Sequence, residues 1–496
     1  VPTRSSELPP TSDVLGGVLE VDLKIRMARL GLLLALGLVT AQQEDAVCSL
    51  GQACSAGAVD EYGYYWPRAR GHVGSYSLTN LTAPKEDLGK HLAWKWNHPE
   101  GRYATVIVGG PLIDDKKNLY LSTETGMYKF SPDGVQQWFY RPAGADFIHT
   151  CPSIMDGKLF GNTGDGIMFA VSMETGKELW RRKHADSSGG DTAYVESYRG
   201  VVISAMSAGQ GSGGNHRIIV VNATTGRRIW DYLEEKTLWN FMAMFVGDDT
   251  FVYMDIHGGV YRRNLFNGTR VWYTPPDLLV SQSFTDGWVQ LGPGGEDGIA
   301  FACADHASGQ AGSTGYLRAL RVRDGFRIYD KHLEQPCTSW AVSDGKTVVI
   351  GAAPLPGIPG AAQLGDRWPF AAKVVLHQLS RLLGRRQRYI WGNPPLHSVM
   401  FAFDAATGSQ KWRFDGVPPW EYAACRGDEE GLTDRVTRGI RAVCATAGWA
   451  SPTMTGDGTV YTPHMDGNLY MIGDANSDGF IDPKSEVHSF DAGSAS

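Results

Sequence analysis

One phrase returns six times along the chain and restricts its possible folds more than any other feature. Residues 127–138, 168–180, 219–230, 260–272, 317–329 and 400–412 each hold an alternating apolar stretch, then a turn rich in Asp, Asn, Thr and Gly, then an aromatic four residues after a glycine. The pairs are Gly134/Trp138, Gly176/Trp180, Gly226/Trp230, Gly268/Trp272, Gly325/Tyr329 and Gly408/Trp412. Successive glycines are 42, 50, 42, 57 and 83 residues apart. Self-similarity at a fixed period of roughly 20–50 residues marks a repeat architecture. Period-two alternation predicts strands, and a glycine able to take φ > 0 predicts a tight turn between them. Two more short strands precede each copy, as at 118–121 and 250–253, so each unit has the four strands of a propeller blade. Residues 449–490 repeat this layout at 458–461, 468–471 and 487–490, which predicts a seventh blade. The closing aromatic reads as packing against the next blade, where a ring buries about 150–250 Å².

Composition narrows the class of partner. Of 496 residues, 42% are apolar and 20% charged, enough to bury a large core. The net charge, 46 − 53 = −7, argues against an overall electrostatic grip on nucleic acid.

The repeated phrase resembles that of the pyrroloquinoline-quinone (PQQ) enzyme-like β-propellers, over residues 88–490. The resemblance implies an all-β propeller of seven to eight four-stranded blades. Members of the family commonly have eight blades, closed by pairing N- and C-terminal strands. On that pattern Leu92, Trp94 and Trp96 belong to an isolated outer strand, and an eight-blade ring with an incomplete closing blade is expected, seven blades being the alternative. The family includes dehydrogenases that hold PQQ with calcium over the ring centre and oxidise alcohols or sugars. It is also similar to the bacterial outer-membrane assembly lipoprotein, which offers a propeller face to protein partners. The dehydrogenases often carry a vicinal Cys-Cys pair, and this sequence has none. Their base and calcium ligands do not map onto positions here, so no catalytic residue is assigned. A binding or scaffold propeller is therefore expected, with a PQQ- and calcium-dependent dehydrogenase as the alternative.

The N-terminus points to a compartment. Met27, Ala28 and Arg29 precede an apolar run over 30–39, followed by Thr40 and Ala41. This layout reads as a cleaved secretory signal over 27–41, too short to span a bilayer, which takes about 20 apolar residues. Residues 1–26 read as an extension without order, 42–87 as a partly ordered segment, and 88–496 as the propeller, with insertions at 352–397 and 415–447. In an oxidising lumen, the seven cysteines suggest Cys48–Cys54, Cys303–Cys337 and Cys425–Cys444 bridges, leaving Cys151 over. The sequons at Asn80, Asn222 and Asn267 are candidate glycosylation sites.

The best metal candidate is an oxygen-rich loop. Asp474, Asn476, Asp478, the carbonyl of Phe480 and Asp482 occupy positions 1, 3, 5, 7 and 9 of a calcium loop, with Gly479 at position 6. Ser485 stands at position 12, and Glu486, one place later, is the candidate bidentate carboxylate. In the first insertion, 370–388 reads as an amphipathic helix ending in Arg381, Arg385, Arg386 and Arg388, able to contact an anionic membrane surface or to pack on the propeller. Gly209–Gly214 reads as a hairpin loop rather than a phosphate cradle. His149 and His464 lie near strand ends.

Overall fold

A computed structural model describes residues 59–491 except 102–103, 106, 145–147, 149–150, 189–193, 208–214, 277–282, 285–287, 307–313, 338, 355–368, 370, 373–374, 376–396, 418–447 and 465. Residues 47–496 cluster as one unit. The proposed signal, Cys48, Cys54, Cys425, Cys444, His149, the 209–214 loop and all four arginines of the basic segment lie outside the described residues. Within that segment Ala371, Ala372 and Val375 are helical.

Among the described residues, seven antiparallel sheets of four or five strands follow one another in chain order, six of them plain up-and-down meanders. Blade 1 runs from Ile107–Ile113 to Gln136–Tyr140 and blade 7 from Thr453–Met454 to Val487–Asp491. Blade 5 pairs two short inner pieces, Ser283–Phe284 and Val289–Leu291, with the same neighbour, Ile299–His306. The middle strands are buried on both faces because each blade is covered by its neighbours; Val201–Ser207 is buried along its whole length.

The repeated phrase builds the joint between blades. Five of the six strand aromatics reach into the following blade's outer turn and donate a hydrogen bond to a backbone carbonyl there. Trp138 Nε1 bonds Met173 O at 3.0 Å, Trp180 bonds Ala223 O at 2.9 Å, Trp230 bonds Leu265 O at 2.8 Å and Trp272 bonds Val322 O at 2.8 Å. Tyr329 does the same through its hydroxyl, to Ala405 O at 3.1 Å. The repeat glycine is the surface on which the previous aromatic lies. At Gly226, φ is +65° and an added Cβ would stand 2.4 Å from the Trp180 ring. The glycine is thus needed twice, for a left-handed turn and for close approach.

The eight-blade expectation is corrected. Val487–Asp491 already supplies the fourth strand of blade 7, pairing along Asn468–Ile472. Residues 92–98 form no strand. Trp94 nevertheless does what the blade aromatics do: its Nε1 bonds Pro132 O at 2.9 Å in the outer turn of blade 1. Just upstream, Tyr461 of blade 7 donates to Ala83 O at 2.8 Å, and Lys85 pairs with Asp457 at 2.8 Å. Residues 83–98 therefore span from blade 7 to blade 1 as a clasp, not as part of another sheet.

Candidate functional site

The segment before the clasp, expected to be only partly ordered, occupies the propeller axis. Its residues reach the innermost strand of six blades. Trp66 and Ile113 exchange two backbone hydrogen bonds at 2.9 Å, and the Ile154 amide donates to Pro67 O at 2.8 Å. Arg68 Nη2 donates to Ser197 O at 2.7 Å, and Tyr76 Oη to Phe245 O at 2.8 Å. Gln290 Nε2 donates to Tyr76 O at 3.0 Å, and the Met454 amide to Ser77 O at 2.9 Å. At blade 6, Arg70 lies over the Trp340 ring, 3.8 Å from its centroid. A short hairpin, Gly71–His72 with Ser75–Tyr76, forms the centre of this axle.

Around one end of it stand residues that precede the inner strands by one or two positions: Cys151, Tyr194, Met242, Trp288 and Trp340, in one apolar cluster. Trp288 and Trp340 stack with centroids 3.6 Å apart and planes at 12°, and Tyr194 meets Trp340 edge-on at 5.6 Å. Among these rings sits a small charged group. Arg68 Nε is 3.5 Å from Glu196 Oε2, with both side chains almost fully buried. Burial pushes the Glu196 carboxyl up to about 8, against the pull of Arg68 and Arg70. Burial also lowers Arg70 to about 10 and raises the Cys151 thiol to about 12. The thiol donates to Val108 O at 3.2 Å.

Such a centre does not fit a bound PQQ. A planar fused-ring quinone needs a flat slot, and both faces of Trp340 are covered, by Trp288 and by Arg70. Nothing in the repeated phrase marked these residues. The available signal was aromatic density: Tyr62, Tyr64, Tyr65, Trp66 and Tyr76 are too many rings for a solvated linker.

The oxygen-rich loop forms the outer turn of blade 7, between Asn468–Ile472 and Val487–Asp491, where other blades carry their glycine turn. Asp474 accepts the amides of Asp478 (3.1 Å) and Gly479 (3.0 Å), and Asp478 accepts that of Phe480 at 2.8 Å. Asn476 donates to Asp478 at 2.8 Å. Buried Glu486 turns back into the loop, accepting the amides of Ala475 and Asp482 at 2.9 Å each. Asp482, held below the usual carboxylate range by the Lys484 amide and the Ser485 hydroxyl, accepts the latter at 2.7 Å. The Phe480 ring is exposed. Oxygen donors of this type fit a hard cation. Among the described residues no three His, Cys, Asp or Glu side chains converge as a metal group.

The other candidates separate. Cys303 and Cys337 are bonded, with Cα atoms 6.1 Å apart. Asn80 and Asn267 are exposed; Asn222 accepts the Thr225 amide at 3.0 Å within its turn. His464 lies between Ser398, 3.0 Å from Nε2, and Asp466, 3.3 Å from Nδ1. The Asp466 amide also lies 3.1 Å from Nδ1, so the ring is held on both sides within a buried turn.

Sheet order, blade joints and repeat together define a β-propeller with seven blades among the described residues, similar in its repeat to the PQQ-like propellers. Residues 93–277 match the family model described as outer membrane protein assembly factor BamB. A curated relative, the lanthanide-dependent methanol dehydrogenase of Methylacidiphilum fumariolicum (strain SolV), is 29% identical over 171 residues, 31% of this chain. The match spans 27% of that enzyme. Among solved structures, a europium-containing methanol dehydrogenase superposes with a TM-score of 0.50 at 15% identity, covering 84% of each chain. The quinohemoprotein alcohol dehydrogenase of Comamonas testosteroni gives 0.51 at 13% identity, covering 86% of this chain and 73% of that one. At these identities the likeness is one of fold. Among the described residues no helix is long and apolar enough to cross a membrane.

Proposed function

We propose that this chain is a secreted or lumenal binding propeller, a scaffold that presents a propeller face to a protein partner. The observation that carries this reading is the filled axis: residues from 66 to 78 engage the inner strands where the resemblance implies a cofactor. The family match to an assembly factor agrees with it. A PQQ- and calcium-dependent dehydrogenase acting on alcohols or sugars is the second reading, favoured by the sequence similarity to a methanol dehydrogenase. PQQ titration of the purified protein, with and without calcium, separates the two. The scaffold reading expects unchanged tryptophan fluorescence and no dye reduction with added alcohol or glucose. Saturable quenching with turnover would establish the dehydrogenase.

Calcium belongs to the proposal as a structural ion in the blade 7 turn, held by Asp474, Asn476, Asp478, the Phe480 carbonyl, Asp482 and Glu486. Millimolar calcium is expected to raise the melting temperature by about 3 °C, by mass action on the folded state. Asp478→Ala should abolish that rise. Equal melting in calcium and in chelator contradicts the site. The compartment proposal includes the 27–41 signal, the Cys48–Cys54 and Cys425–Cys444 bridges and glycans on Asn80, Asn222 and Asn267. Membrane-surface contact through 370–388 completes it.

A further inference from the structure

We propose that the outer wall of the propeller binds a sulfated polysaccharide, through a basic patch that straddles the joint between blades 2 and 3. The site is independent of whether the propeller is a scaffold or an enzyme; only the choice of a glycan rests on the secreted or lumenal reading. The outer strand of blade 2 is Glu178–Lys183 and that of blade 3 is Arg228–Leu233. In the former every residue except Trp180 is exposed. Two arginines cross the joint in opposite directions. Arg182 Nε donates to Thr225 O of blade 3 at 2.8 Å, and Arg228 Nη2 donates to His184 O, just past the blade 2 strand, at 2.7 Å. These bonds hold both guanidiniums on the surface, so less side-chain freedom is lost when they bind. His184 lies beside them and its pKa is lowered, by burial first and then by Arg228 and Arg182, with no carboxylate acting on it.

The positive charge survives when every neighbouring carboxylate is counted. Residues 163–187 and 217–231 carry seven Lys and Arg against five Asp and Glu, a surplus of two in a chain whose net charge is −7. Asp165, Glu174 and Asp186 stand in turns and bends beyond the outer strands. The two carboxylates within the strands are taken. Glu178 accepts the Tyr140 hydroxyl at 2.7 Å and faces Arg181 at 3.4 Å, and Asp231 is shared by Arg217 and Arg228. Lys177, Arg182, Lys183 and Arg227 are exposed and form no ion pair among the described residues. A single exposed cation selects nothing, because each exposed pair is weak. These four with Arg228, two of the five fixed across one joint, form a strip for a repeating polyanion. The strip crosses two outer strands, whereas an acidic peptide added as an extra strand would follow one. The guanidinium fork matches the oxygens of a tetrahedral oxyanion such as a sulfate ester.

Heparin is the probe, immobilised and presented to the purified full chain at about 0.15 M salt. Binding is expected, with an affinity that falls steadily as salt is raised, because condensed counterions are released. The triple variant Arg182→Ser, Lys183→Ser, Arg227→Ser should bind about tenfold more weakly or worse, with an unchanged melting temperature. Arg385→Ser with Arg386→Ser, in the other basic segment, should keep the affinity. Hyaluronan, which carries carboxylates but no sulfate, polyglutamate and phosphatidylserine vesicles should each bind far more weakly than heparin. Equal binding by any of them overturns the glycan assignment. No heparin binding, or a triple variant that binds as the unaltered protein does, overturns the site. Should that variant fail to fold, acetylation of the unaltered protein decides. Heparin should shield Lys177 and Lys183 from the reagent, and unchanged labelling overturns the site. Heparin binding is read whatever the compartment, so its failure leaves the secreted reading standing.

Discussion

At the residue scale the propeller relies on buried polar groups whose partners come from adjacent strands. Arg263 Nη2 is 2.8 Å from Glu234 Oε1, its Nε donates to the Tyr253 hydroxyl at 2.7 Å, and Tyr253 in turn donates to Glu234. All three are buried, so removing one partner leaves another without compensation. Arg263→Met should lower stability by about 3–5 kcal/mol in urea unfolding, because it strands the Glu234 carboxylate. A loss under about 1 kcal/mol, the scale of an exposed pair, would contradict that role. Glu196 gives a pH signature. Its carboxyl moves from 4.5 to about 8 on folding, so the native state holds that proton more tightly than the unfolded chain does. Its contribution is complete below 4.5, falls as pH rises from 4.5 to 8, and then levels off. Glu196→Gln should flatten that part of the stability curve, measured from denaturation midpoints across the interval. An unchanged slope would place the titration elsewhere.

At the scale of the element, the glycine–aromatic pair was legible because it repeats. Six copies fixed the third and fourth strands of six blades, and the aromatics were read as joints between blades. The sequence could not show that each glycine is the seat for the previous blade's ring, since that pairing joins residues 38–79 apart, as with Trp138 and Gly176 or Tyr329 and Gly408. Gly226→Val combines a left-handed turn that a β-branched residue resists with a clash against Trp180. It should lower stability by about 2–4 kcal/mol, read from the urea midpoint. A midpoint equal to that of the unaltered protein would contradict the joint. The Cys303–Cys337 bridge ties a middle strand of blade 5 to the chain leaving that blade, across 34 residues. Its reduction should remove about 4 kcal/mol in the chain-entropy account. Calorimetry with and without reductant checks this, and identical transitions would contradict it.

For the whole molecule, ring closure and centre both fall to a stretch with no repeat. Residues 92–96 were read as an isolated outer strand of an eighth blade, on the closure pattern that the resemblance implies. Trp94 does pack as a blade joint, on the Pro132 turn, but without a strand around it. The axle was missed for a related reason. Its hydrogen bonds go one or two at a time to six blades, so it has neither a strand period nor a helix period. The candidate calcium loop, by contrast, stood out because its ligand types are spaced locally.

The central claim is that residues 59–80 are an integral axle. Native-state hydrogen exchange of this segment tests it most directly. The Ser77 and Thr79 amides donate to Arg70 O at 2.7 Å and Met454 O at 3.0 Å, and the Trp66 amide to Ile113 O at 2.9 Å. The account predicts that these amides exchange as slowly as those of the inner strands, opening only with the blades. Exchange within seconds, while the blades stay protected, would contradict it and leave the axis open to a ligand.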